Sequence, residues 1–245
     1  MQGEFNGLKS LILKEHKCLF YVHCFAHQLQ LALVVVAKKD DDIAWFFINN
    51  LSNVVGASCK RRDIFRESQS LNVNEGLESG EISSGRGLNQ ESTLTRVGDT
   101  RWGSHYGTLL GLVSLFPSVG DVLDTIVKES SKAEQIVEAS QLKNTLQSFE
   151  FNFKLLLMRN ILGITNDLSQ VLQRKYQDIV NDMTCVKLSN ARLQNMREDG
   201  WCNLLDEVTL FCKKKDIDIV NMDDVFILHG KPKRNVETVS NLHHF

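Results

Sequence analysis

The sequence predicts a mainly helical chain with a small α/β part near its N-terminus. The 245 residues include only two prolines and fifteen glycines, so few positions interrupt a helix. Long stretches in the second half repeat apolar residues with the 3.6-residue period of a helix. One short aromatic and β-branched run, Cys18 to Cys24, is typical of a buried strand.

The first 66 residues are predicted to fold as helix, strand, helix and helix. Apolar residues recur at helical spacing over residues 4–15, before the strand from Cys18 to Cys24. The strand continues almost directly into a helix over 26–38. A further helix over 43–55 follows three aspartates, whose carboxylates suit the positive end of a helix.

The rest of the chain divides into a loop, a helical unit and a tail. Residues 67–97 are rich in Ser, Gly, Asn and Glu and contain no aromatic residue, so we predict a flexible loop. Residues 98–220 are predicted to form an all-helical unit, and 221–245 a basic tail that returns toward the first unit. The helices are expected at about 104–115, 119–130, 134–160, 166–183, 185–197 and 203–214.

Charge and apolar content restrict the function classes. With 42% hydrophobic residues but no apolar run near the roughly 20 residues of a membrane span, we expect no membrane partner. A formal charge of −2 excludes a global positive field, so any DNA contact must be local. The sequence offers one compact cationic group, and a second group over 231–234 that also suits a nuclear import signal. The compact group consists of Lys60, Arg61, Arg62 and Arg66.

The six cysteines are widely scattered, and Met1 is followed by a polar run, so we expect reduced thiols in an intracellular protein. Cys24 and His27 lie one turn apart where the predicted strand meets a helix. They fit a buried thiol beside a hydrogen-bonded imidazole, a zinc site, or a nucleophilic cysteine with its base. A structural zinc needs four ligands, and no second pair follows at the usual spacing. We therefore expect no bound metal.

Arg101 and Trp102 follow the predicted loop and form a second candidate site. A tryptophan ring beside a guanidinium can bind an unstacked base and its phosphate. The alternative is a core tryptophan at the start of a helical bundle.

Two strings in this chain resemble the transposase domain of the hAT superfamily. They run from His23 to Ala32 (HCFAHQLQLA) and from Asp99 to His105 (DTRWGSH). The chain is similar in particular to plant transposon-derived proteins labelled zinc finger MYM-type protein 1-like, and strings such as Asn160 to Ser169 extend the resemblance along its length. The resemblance implies a nuclear protein with a partial RNase H-like core over residues 1–66, interrupted by an all-helical insertion.

The resemblance also assigns roles to individual residues. The family cuts and joins DNA with two Mg²⁺ or Mn²⁺ ions held by an Asp, Asp, Glu set. Cys24 and His27 match a motif close to that centre, Trp102 matches a residue that handles a distorted DNA end, and Arg101 suits a phosphate. The three acidic ligands of the family have no counterpart in this sequence.

From these features we expect a truncated, transposon-derived protein without nuclease activity, bound cofactor or small-molecule substrate. Its expected partners are DNA ends, or related transposase-like proteins in homo- or hetero-oligomers. One alternative is a fragment of a complete domesticated transposase-like DNA-binding protein. Another is a zinc- or thiol-dependent enzyme that uses Cys24 and His27.

Overall fold

The computed structural model describes residues 8–16, 18, 28–29, 42–80, 92–94, 102–174, 178–225 and 240–241. Within these ranges the chain is mostly helical, which confirms the mainly α prediction. The helices are α1 (Leu8–Glu15), α2 (Asp42–Gly56), α3 (Cys59–Glu78), α4 (Trp102–Ser114), α5 (Phe116–Glu129), α6 (Ala133–Leu146), α7 (Phe149–Leu172), α8 (Ile179–Glu198) and α9 (Trp201–Lys214).

No β-sheet is present among the described residues, whose β structure is limited to one antiparallel bridge between Val225 and Ser240. An RNase H-like core is therefore not seen in this part of the chain. The predicted strand from Cys18 to Cys24, apart from Cys18, and most of the helix predicted over 26–38 lie outside the described residues.

Five helices, α1, α2, α4, α5 and α9, occur where the apolar periodicity predicts them, with ends that differ by a few residues. In α2, α4, α5 and α9 a stripe of apolar side chains packs against neighbouring helices, as the 3.6-residue period requires, whereas Leu11 and Ile12 of α1 are exposed. Pro117 lies in the first turn of α5, where a backbone N–H has no intrahelical acceptor. The proline therefore costs the helix no hydrogen bond.

The prediction of a flexible loop over 67–97 is wrong for residues 67–78, which form the second half of α3. Residues 81–91 and 95–97 lie outside the described part. This half of α3 packs through polar side chains instead of an apolar stripe. The Ser68 hydroxyl donates to Asp121 Oδ2 at 2.6 Å, and Asn72 Nδ2 donates to Ser118 Oγ at 3.1 Å.

Gln69, in the same part of α3, ties residues 92–94 to the helix. Its Nε2 donates to the Ser92 carbonyl at 2.7 Å, and the Ser92 N–H donates to its Oε1 at 3.1 Å. The neighbouring Leu94 packs against the hydrophobic core. One carboxamide thus satisfies both backbone groups of an incoming residue.

The helix predicted over 134–160 is also wrong, because the chain turns between α6 and α7. Ser148 caps α7 by accepting the Phe151 N–H at 3.2 Å. Asn152 is fully buried, and its Nδ2 donates to the carbonyls of Leu146 and Ser148, both at 2.8 Å. Its Oδ1 has no hydrogen-bond partner. The side chain closes the turn by satisfying carbonyls at the end of α6.

The breaks predicted at 160–166 and 183–185 are likewise wrong, since α7 and α8 each run unbroken through these positions. Helix α8 begins instead at Ile179 and is capped by Asp178, whose Oδ1 accepts the N–H groups of Val180 and Asn181 at 2.9 and 2.8 Å. An aspartate in this role satisfies backbone donors that would otherwise lack partners.

One hydrophobic core joins α2 and α3 to the helices that follow. The rings of Phe47 and Phe151 lie 4.6 Å apart and link α2 to α7. Phe116 of α5 meets Phe211 of α9 at 5.3 Å. Helices on both sides of the predicted loop therefore contribute to the same core, although the sequence predicts two units there.

Helices α4 and α5 form the central part of this core, where Leu109, Leu112, Val119 and Val122 are fully buried. No single described helix is long and apolar enough to cross a membrane. The segments His105–Ser114 and Phe116–Glu129 reach the length and apolar content of a membrane span only when taken together, and they are bent by 73° at the break between them.

Helix α9 ends in a Schellman motif. The Ile217 N–H donates to the Cys212 carbonyl at 2.9 Å, and the Asp216 N–H donates to the Lys213 carbonyl at 3.4 Å. Asp216 has a positive φ of 53°, the left-handed conformation that this motif requires. Ile217 and Cys212 are both buried, which supplies the apolar contact that accompanies such caps.

Cys212 is fully buried, and desolvation raises the pKa of its thiol from 9.0 to about 11. The folded state therefore keeps the proton at a pH where the unfolded chain releases it. We expect the buried, protonated thiol of Cys212 to contribute fully to stability below pH 9. This contribution should be lost as the pH rises toward 11. The loss amounts to about 3 kcal/mol.

Chemical denaturation of the wild type and Cys212→Ala between pH 8 and 10.5 measures this effect, because other titrating groups cancel in the difference. Alkylation at pH 8 followed by peptide mapping supplies a second measurement. We expect the exposed Cys59 and Cys202 to react in the native protein and Cys212 to react only after unfolding. A parallel pH dependence of the two proteins, or native labelling of Cys212, would contradict the expectation.

Candidate nucleic-acid interface

The four predicted cations Lys60, Arg61, Arg62 and Arg66 lie in the first two turns of α3. Ser58 caps the helix by accepting the Arg61 N–H on its Oγ at 3.2 Å. The N-terminus of a helix carries partial positive charge from its unpaired N–H groups and attracts anions. The sequence therefore places a cationic cluster at the positive end of a helix.

Arg61 differs from the other three cations because its guanidinium points into the protein. It donates to the Val54 carbonyl at 3.0 Å and to Gln135 Oε1 at 3.2 Å, in a part-buried position. These bonds join the end of α2 and the start of α3 to α6. We therefore assign Arg61 a positioning role and do not count it among the surface cations.

Lys60, Arg62 and Arg66 form the surface part of the cluster. Lys60 Nζ lies 2.7 Å from Glu129 Oε2, with side chains 73% and 54% exposed. Arg66 lies 3.8 Å from Asp63, and Arg62 makes a long 3.5 Å bond to the Ser58 carbonyl. Ion pairs this exposed contribute little to stability, so exchanging them for a phosphate costs little.

Acidic side chains around the cluster limit its field. Asp63 lies on α3 between the cations, Glu67 follows Arg66 on the same helix, and Glu129 lies at the end of α5. Three carboxylates thus face three surface cations. An interaction with DNA at this position would be short-ranged and would depend on direct contact.

The other predicted site residues lie outside the part of the chain whose side chains the structure describes. Trp102 begins α4, and nothing is described of its side chain. Arg101, Cys24 and His27, like the basic residues over 231–234, lie outside the described residues. Their expected roles stay predictions.

The metal pair implied by the resemblance has no fitting ligand set in the described ranges. There, no group of three or more His, Cys, Asp or Glu side chains comes close enough together to hold a metal ion.

A polar groove between α7, α8 and α9 was not predicted from the sequence. Its volume is about 580 Å³. Arg159 pairs with Glu207, and Asn160 Nδ2 donates to Glu207 Oε2 at 2.9 Å. Arg192 lies 3.2 Å from Asp167. These residues come from helices distant in sequence and carry no motif, so only the packing of the helices brings them together.

The fold and this surface define a helical protein with a cationic helix end and a separate polar groove. No family model matches the chain, and no solved structure matches it.

Proposed function

We propose that this chain is a non-catalytic, DNA-binding protein of the nucleus, derived from a hAT transposase, with a partial RNase H-like core in its N-terminal part. In this proposal Lys60, Arg62 and Arg66 contact DNA phosphates, and Arg101 and Trp102 contact a DNA end. The resemblance of the strings around His27 and Trp102 supports the origin.

The observation that carries the proposal is the exposure of Lys60, Arg62 and Arg66 at the N-terminal end of α3. Cationic side chains and helix N–H groups together form a surface that phosphate oxygens can approach. Arg61 anchors this end of α3 to α6, so the cations project from a fixed position.

Binding through these contacts should depend strongly on salt. Three phosphate contacts give a slope of log Kobs against log[salt] of about −2.7 on duplex DNA, because each contact releases counterions. Such contacts carry no sequence information, so we expect similar affinity for duplexes of different sequence.

Substituting Lys60, Arg62 and Arg66 together with alanine tests the proposal. We expect the affinity for a labelled duplex at 50 mM salt to fall about 10- to 100-fold, and the salt slope to become shallower by about 2.7. Fluorescence anisotropy at several salt concentrations measures both quantities.

The matched control substitutes three exposed cations elsewhere, Lys187, Arg197 and Lys213, and changes the net charge equally. If both triple variants lose affinity to the same extent, the α3 cluster is not the interface. A salt-independent affinity of the wild type would also contradict the proposal. Magnesium- or manganese-dependent nicking of DNA that a point substitution in this chain abolishes would overturn its non-catalytic part.

A further inference from the structure

The groove between α7, α8 and α9 has an apolar floor and polar rims. Ile164 of α7 and Met196 of α8 line the floor. Asn195 and Asp199 of α8 line one rim, and Asn203 of α9 lines the other. A groove of about 580 Å³ is large enough for one long side chain and the backbone around it.

Internal ion pairs fix the walls of this groove. Glu207 is held by Arg159 and by Asn160, whose Nδ2 lies 2.9 Å from its Oε2. At the other end Arg192 lies 3.2 Å from Asp167. Of the two carboxylates that line the groove, Glu207 is therefore already neutralised by an ion pair.

Asp199 is the other carboxylate of the lining, and it has no ion pair or side-chain hydrogen bond in the described structure. The side-chain amides of Asn195 and Asn203, which line the groove beside Asp199, likewise make no hydrogen bond in the described structure. The charged residues that line the groove are one arginine, Arg192, and two carboxylates, Asp199 and Glu207, so the lining carries one net negative charge. Anionic ligands, including DNA phosphates, are disfavoured there.

We propose that this groove binds an arginine side chain on an extended segment of a partner protein. The guanidinium pairs with the Asp199 carboxylate through two parallel N–H···O bonds, a geometry that lysine cannot provide. The methylene stem covers Ile164 and Met196, and the amides of Asn195 and Asn203 pair with the backbone of the segment. This interaction is independent of the cationic end of α3.

The test is a titration of ¹⁵N-labelled protein with N-acetyl-arginine amide, followed by NMR. We expect shifts in the side-chain NH₂ signals of Asn195 and Asn203 and in the backbone signals of Asp199 and Gly200, with millimolar affinity. N-acetyl-citrulline amide, which has the same shape without the charge, should bind at least about tenfold more weakly.

Asp199→Asn should weaken binding of the arginine probe by about tenfold or more, while retaining a folded spectrum. The matched control Asp218→Asn removes an exposed carboxylate that does not border the groove, and it should bind like the wild type. Equal binding of the citrulline probe, or shifts confined to other residues, would overturn the proposal. Tighter binding of deoxyadenosine monophosphate at the same signals would identify a nucleotide site instead.

Discussion

Replacing Gly200 with alanine is expected to lower the free energy of unfolding by about 3 kcal/mol. A Cβ atom at this position would lie 2.5 Å from the Met196 carbonyl oxygen and 2.8 Å from Met196 Cα. Both are backbone atoms, which cannot rotate away as a side chain can. Either α8 or α9 must move to admit the methyl group.

The backbone conformation at position 200 does not explain why a glycine is required there. Its φ of −83° and ψ of −7° are accessible to any residue, so the effect depends on the close approach of the two helices. Movement of α9 would also displace Trp201, whose ring lies 5.4 Å from that of Phe153 in the core. The cost therefore combines a local clash with lost packing.

Equilibrium unfolding in urea measures the change. Gly120→Ala is the matched control, because nothing lies within 4 Å of the added methyl group. Since Gly120 lies inside α5, this control should gain about 0.5–1 kcal/mol from helix propensity. A stability of Gly200→Ala within about 0.5 kcal/mol of the wild type would show that the junction yields freely.

Replacing Asn152 with leucine is expected to cost about 2–3 kcal/mol. The substitution keeps the number and branching of the side-chain heavy atoms but removes both Nδ2 bonds, to the carbonyls of Leu146 and Ser148. The Leu146 carbonyl is then left in an apolar environment without this donor, which is the costly outcome for a buried polar group.

Asn152→Asp provides a pH-dependent form of the same test. At neutral pH it places a carboxylate against two carbonyl oxygens, so burial and repulsion raise its folded pKa above the unfolded value of about 3.9. The free energy of unfolding of this variant is then highest below about pH 3.9, and it falls as the pH rises toward the folded pKa. Between the two values we expect this variant to gain about 1.4 kcal/mol per pH unit of acidification, relative to Asn152→Leu.

Denaturant unfolding from pH 5 to 7 measures both variants. Asn144→Leu is the control, because Asn144 is exposed on α6, and its change should stay within about 0.5 kcal/mol. If Asn152→Leu is equally harmless, the amide does not stabilise the turn between α6 and α7.

Apolar periodicity predicts helices that bury an apolar stripe, and it fails where packing is polar. Residues 67–78 look like a loop because serine, asparagine and glutamate dominate the segment. Their helix is held by contacts such as Ser68 to Asp121, across 53 residues of sequence. The pattern also extends through the turn at Ser148, because Leu146 and Phe149 on either side continue the apolar spacing.

The cationic cluster could be predicted because its members lie close together in sequence, and a helix presents them at one end. The inward role of Arg61 could not, since its acceptor Gln135 is 74 residues away. The same limit applies to the groove, whose residues Arg159 and Glu207 are 48 residues apart. Local patterns identify candidate side chains, and tertiary contacts decide which of them face a ligand.

The bonds between Gln69 and Ser92 hold the chain on both sides of residues 81–91 against the same helix. Because Phe65 of α3 and Val119 of α5 belong to one core, the two halves adhere without the peptide link between them. A cut within 81–91 should therefore yield a nicked protein that stays a non-covalent complex. This position is accordingly suited to a split-protein reporter.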